Sequence, residues 1–141
     1  MSYNILVIDD SACMRKVLKK SIVMCGIGDI SFYEAGNGLE GLEVIKKEWI
    51  DIIFTDIHMP IMNGLELVKA LRADEAIKHT PIIVVTSDTN AENSAEVKAY
   101  DIKDIIYKPF RAEDIRRLLT ELLRLEETYN EENPDTEGLD F

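Results

Sequence analysis

Short blocks of apolar residues recur along the chain, each bounded by polar positions: Ile5-Leu6-Val7-Ile8, Ile52-Ile53-Phe54-Thr55, Ile82-Ile83-Val84-Val85 and Ile105-Ile106-Tyr107. Blocks so short and so uniformly apolar predict strands buried on both faces, as in a parallel sheet. Ile30-Ser31-Phe32-Tyr33 predicts a further strand, less apolar and hence nearer an edge. Between the blocks the apolar positions shift to helical spacing. Met14, Val17, Leu18, Ile22 and Cys25 make one stripe behind a capping Ser11, ended by Gly26 and Gly28. After a Gly36-Asn37-Gly38 turn, a second helix points Leu42, Ile45 and Trp49 inward, with Trp49 expected in the core. A third helix carries Leu67, Val68 and Leu71, and the last carries Ile115, Leu118, Leu119 and Leu122. The segment 91–100 differs. Its best stripe is Ala91, Ala95 and Ala99, with only Val97 and Tyr100 as larger apolar groups, so this fourth helix should be weakly anchored and available to move.

Strand followed by helix, five times over, is the pattern of a doubly wound α/β domain, whose ligands collect beyond the carboxyl ends of the strands. Those ends carry chemistry: Asp9-Asp10, then Asp56, then Thr86, then Lys108-Pro109. Beside Asp56, residues 59–64 must form a loop, since Pro60 bars the helical conformation for Met59 and Asn63-Gly64 favours a turn. Three carboxylates within several ångströms cannot all stay ionised unless a cation joins them or their pKa values rise. A hard, oxygen-seeking ion suits the site, and Mg²⁺ suits it best, being held by one or two carboxylates with positions left for phosphate oxygens. Asp56 then reads as a nucleophile that becomes an aspartyl phosphate, Lys108 and the metal as neutralisers of the phosphoryl charge, and Thr86 as a hydrogen-bond donor to it.

At these residues the chain resembles the response-regulator receiver domains of two-component signalling, in the stand-alone form typified by chemotaxis regulators. The motifs are Val7-Ile8-Asp9-Asp10-Ser11, Thr55-Asp56-Ile57-His58-Met59-Pro60-Ile61-Met62-Asn63-Gly64, Val85-Thr86-Ser87 and Tyr107-Lys108-Pro109-Phe110, and the resemblance covers roughly the first 125 residues. The resemblance implies a flavodoxin-like sheet of strand order 2-1-3-4-5, with Asp10 and Asp56 at the switch point between strands one and three. It implies Asp10 and Asp56 as direct metal ligands, Asp9 acting mostly through water, the backbone carbonyl of His58 as a further ligand, and a cis bond before Pro109. It also implies that the side chains at His58 and Asp88 govern how long the phosphoryl group survives. A histidine kinase or phosphotransfer protein would be the donor, and the fourth helix, fifth strand and fifth helix the face that meets a downstream protein. One position departs from the family. Receivers usually place an aromatic three residues before the lysine, where it takes part in the switch with Thr86; here that residue is Ile105. Tyr107 should share its face of the strand and could stand in as the switch aromatic beside Thr86 and Ile105, but only from about 7 Å further along; the favoured reading is a packed aromatic with a wet hydroxyl.

Composition narrows the function classes. At 141 residues and 16.0 kDa the chain is sized for one domain, assigned to 1–125, with 126–141 as an acidic tail. The formal net charge is −11, and seven acids with no base from Glu126 onward account for much of it; without them the charge is −4. Either value argues against nucleic-acid binding. No apolar run approaches the ~20 residues needed to cross a bilayer, and a cytoplasmic protein is expected. Cys13 and Cys25 fall on one predicted helix, too far apart for a disulfide, and His58 and His79 lack partners at metal-ligand spacing. The tail is expected to be disordered, with Leu139 and Phe141 as an alternative short peptide motif.

Three functions compete. The first is a phosphoacceptor switch that catalyses only its own phosphorylation and dephosphorylation and is otherwise no enzyme. The second is a phosphoaspartyl phosphatase like the haloacid dehalogenase-like enzymes, disfavoured because His58 stands where those place an acid/base aspartate. The third is a receiver-like adaptor that binds proteins without phosphorylation, for which the aliphatic Ile105 is the best support.

Overall fold

The computed structural model describes residues 2–131, and side chains as far as Leu122. Strands β1 (Ser2–Ile8), β2 (Asp29–Ala35), β3 (Ile52–Thr55), β4 (Ile82–Thr86) and β5 (Asp104–Tyr107) alternate with helices α1 (Ala12–Val23), α2 (Gly38–Lys47), α3 (Gly64–Ala73), α4 (Ala91–Lys98) and α5 (Ala112–Glu131). The strands form one parallel sheet in the order β2-β1-β3-β4-β5, the flavodoxin-like doubly wound arrangement, with the less apolar β2 at an edge.

Side-chain alternation divides the core into two layers. Ile5, Val7, Phe54, Val85 and Ile106 pack with Leu18 and Ile22 of α1 and Ile115 and Leu119 of α5. Leu6, Ile8, Ile53, Val84 and Ile105 pack on the opposite face, with Ile45 of α2, Leu67 and Leu71 of α3 and Val97 of α4. Register then decides what meets at the carboxyl edge. Ile8 pairs with Thr55, so Asp9 and Asp56 leave adjacent strands side by side; Thr86 pairs with Tyr107, so Lys108 follows next to it.

Several sequence expectations need correction. Trp49 is not core: α2 ends at Lys47, the chain turns extended at Glu48, and Ile50 takes the buried place while Trp49 is 77% exposed, its Nε1 donating to Asp51 at 3.0 Å. In α1 the buried face is Leu18, Ser21 and Ile22; Val17 lies one position round the helix and is exposed. That helix stops at Val23, so Cys25 sits beyond it rather than on it, and both cysteines are free thiols. In α4 the alanine stripe faces solvent, and the helix docks through Ser94 and Val97, with Tyr100 packed just past its end. Periodicity alone could not choose between these faces, because small residues satisfy either. The helix α5 continues past residue 125 to Glu131; the remainder of the tail, with Leu139 and Phe141, lies outside the described residues.

Candidate functional site

Asp9 follows directly on β1, and its carboxylate is anchored from two sides: the backbone N–H of Ser11 donates to Oδ1 at 2.9 Å and Lys108 Nζ donates to Oδ2 at 2.9 Å. The same ammonium donates to Asp56 Oδ2 at 2.8 Å, while the N–H of Ile57 donates to Asp56 Oδ1 at 2.6 Å. Both carboxylates are buried, at 2% and 8% exposure, so these contacts replace water almost completely. Burial by itself would lower the Lys108 pKa, but the hydrogen bonds it donates to Asp56 and Asp9, and their charges, outweigh it and hold the ammonium above its ordinary range.

The loop after β3 is drawn tight against this pair. Gly64 N–H donates to the Ile57 carbonyl at 2.7 Å, and a Cβ at Gly64 would run into the Asp56 backbone, so the position excludes any side chain. Asn63 caps α3 through a reciprocal box with Glu66, which ends the loop six residues past Ile57. On the other side Thr86 is fully buried; its hydroxyl oxygen accepts from Asp88 N–H at 3.1 Å, and its carbonyl from Lys108 N–H at 2.8 Å. The Lys108–Pro109 bond is cis.

Thus Asp9, Asp56 and Lys108 form one compact set with Thr86 on the adjoining strand, while the side chain of Asp10 is exposed. Among the described residues no three His, Cys, Asp or Glu side chains are gathered as a metal-holding group. Asp9 and Asp10 are consecutive, and consecutive side chains leaving a strand diverge, which keeps Asp10 out of the buried pair. His58 and Asp88 do meet: His58 Nε2 lies 2.5 Å from Asp88 Oδ2, linking the β3–α3 and β4–α4 loops. Asp88 also accepts from Asn90 N–H at 2.8 Å and Asn93 Nδ2 at 2.7 Å; the Asn90 bond first, then the imidazole, hold its carboxyl below the usual range.

Ile105 is buried under α4, and Tyr107, on the same side of the sheet, is half-exposed with its hydroxyl 3.0 Å from Ser94 Oγ of α4. So the Tyr107 hydroxyl is not simply wet: it ties β5 to α4. Sequence reasoning passed over Ser94 and Asn93, and also Arg15, whose guanidinium donates to the Asp9 carbonyl at 2.6 Å. A signal for Arg15 existed, since a base near the amino end of a helix opposes the helix dipole.

Against known proteins, residues 5–120 match the response regulator receiver domain. The chain belongs to that family. A chemotaxis protein CheY homolog of Campylobacter jejuni is 37% identical to this receiver over 121 residues, covering 84% of this chain and 91% of that protein. A response regulator receiver protein from Pseudomonas putida superposes with a TM-score of 0.77 at 27% identity, over 86% of this chain and 98% of that one. The receiver domain of a sensor histidine kinase from Pseudomonas aeruginosa PAO1, at 20% identity and a TM-score of 0.75 over 86% and 97%, has the same fold and holds a magnesium ion coordinated in its active site cleft.

Proposed function

We propose that this receiver takes a phosphoryl group on Asp56 from a phosphohistidine of a histidine kinase or phosphotransfer protein, and that the modified chain changes its affinity for a protein partner. The observation that carries the reading is the buried Asp56 carboxylate, held at one oxygen by Lys108 Nζ at 2.8 Å and at the other by the Ile57 N–H at 2.6 Å. A nucleophile fixed at both oxygens presents its free lone pairs in a defined direction. In the transfer an Asp56 oxygen forms a bond to phosphorus as the phosphorus–nitrogen bond of the donor breaks, the electron pair returning to the imidazole. Lys108 stands to offset charge on the transferred oxygens, and the Thr86 hydroxyl to donate to one of them.

The residues fit magnesium. The donors are oxygens only, and Asp9, Asp10 and Asp56 outnumber Lys108, leaving two negative charges uncompensated with the Asp10 carboxylate open to solvent. Asp10, Asp56 and the His58 carbonyl would hold the ion directly, with Asp9 acting through water. Bound there, it would supply positive charge opposite the phosphoryl oxygens. The His58–Asp88 pair links the loop that follows Asp56 to the loop that follows Thr86; placed there, it would limit the access of water to the acyl phosphate and so set the phosphoryl lifetime. A partner would be met on the face of α4, β5 and α5, where Tyr107 is exposed and α4 is thinly anchored. In this reading the chain turns over nothing but its own acyl phosphate.

Incubation with Mg²⁺ and a small phosphodonor, followed by intact-mass measurement, tests the assignment. The parent should gain one phosphoryl mass and Asp56→Asn none; equal gain in both would sink it.

A further inference from the structure

We propose that Arg15 is a positioning residue for the acidic pocket: by holding the Asp9 carbonyl it fixes the peptide that presents Asp10, and thereby sets how tightly the pocket takes a divalent cation. This rests on the magnesium reading above and adds a residue that makes no contact with the ion. The guanidinium reaches two ways. One terminal nitrogen donates to the Asp9 carbonyl at 2.6 Å, and Nε donates to Glu34 Oε1 of β2 at 3.0 Å. A planar fork can span both at once; a lysine, with a single charged nitrogen, cannot keep this geometry.

The placement works against local preference, which is why it calls for a reason. Helix α1 begins at Ala12 and has no acid in its first turn, so its amino end already carries uncompensated positive partial charge. A cation four positions in adds to it. What offsets this is Glu34, whose carboxyl is held below its usual range by the Lys19 hydrogen bond first and, against some burial, by Arg15. With Arg15 in place every polar atom of Asp9 is engaged: N–H to the Ala35 carbonyl at 3.1 Å, carbonyl from Arg15, Oδ1 from Ser11 and Oδ2 from Lys108. Asp10 is exposed, so its direction is inherited from the peptide it shares with Asp9, and Arg15 grips the carbonyl of that peptide. Outer contacts of this kind are typically worth about 10–100-fold in metal affinity.

The test is a calorimetric Mg²⁺ titration of the full chain beside Arg15→Ala and Lys19→Ala. Lys19 pairs with the same Glu34 at 2.8 Å but does not touch Asp9, so it reports any merely structural role of that surface. Arg15→Ala should bind Mg²⁺ about tenfold or more weakly, and Lys19→Ala as the parent does. Without metal, the Asp10 amide resonance should move in Arg15→Ala, because its peptide carbonyl loses a donor, and stay in place in Lys19→Ala. Should Arg15→Ala fail to fold, Arg15→Lys, which keeps charge but not the fork, should also weaken binding severalfold. Parent-like affinity in the Arg15 variants, or equal weakening in Lys19→Ala, overturns this proposal alone. A parent that takes up no Mg²⁺ overturns the metal reading and this proposal with it.

Discussion

Lys108 answers for two buried carboxylates at once, and its titration shows how one residue links site to stability. Because Asp56 and Asp9 hold its pKa above the ordinary 10.5 despite the opposing effect of burial, folding favours the protonated form. The stabilisation is therefore complete below pH 10.5 and is lost as pH rises through the higher folded-state value. Urea midpoints measured from pH 8 upward should fall in the parent above pH 10.5, and fall less in Lys108→Met; parallel curves would show that the ammonium contributes nothing through this linkage. The same scale shows what local pattern can and cannot say. Lys108, Asp56 and Asp9 were legible because each directly follows an apolar run, and a strand end is a place the sequence itself marks. The exposure of Trp49 was not, because it hangs on the turn at which α2 stops, two residues earlier.

Among the elements, α4 stands out. It buries only Ser94 and Val97, whereas α3, two residues longer, buries Gly64, Leu67, Val68 and Leu71. Its hold on the molecule is largely polar: Asn90 caps it, Asp88 engages Asn90 and Asn93, and Ser94 meets the Tyr107 hydroxyl. Little buried apolar area means a low free energy of local opening. Hydrogen-exchange mass spectrometry should find α4 amides exchanging faster than those of α3. Tyr107→Phe should speed α4 further, severalfold at most, as suits a hydrogen bond worth about 1 kcal/mol. Protection of α4 equal to that of α3 would refute the weak-anchoring argument. The sequence indicated the weakness correctly but the wrong face: Ala91, Ala95 and Ala99 have the helical spacing, yet the single larger Val97 decides which side is buried.

At the scale of the molecule the two ends of the sheet do different work. The carboxyl ends carry Asp9, Asp56, Thr86 and Lys108, while the connections at the other end are tied by Arg72 of α3. Its guanidinium donates to the carbonyls of Tyr100, Lys78, Thr80 and Asp101 at 2.7–3.1 Å, joining the loops that lead into β4 and β5. Arg72→Ala should cost at least about 2 kcal/mol in chemical denaturation, since it strips a charged donor from several carbonyls at once. Phosphorylation of the folded variant by a small phosphodonor should be unaltered; a loss there would mean the two ends are coupled. By itself the sequence determined the strands, their alternation with helices and the residues at their ends, because apolar runs and helical stripes are local and a parallel sheet gathers strand ends on one edge. Only the tertiary structure decided that Arg15 reaches back to Asp9, that His58 meets Asp88 and that Tyr107 meets Ser94. Those contacts depend on which elements become neighbours and where each helix stops, and distances of that kind are written in no stretch of chain short enough to carry a period.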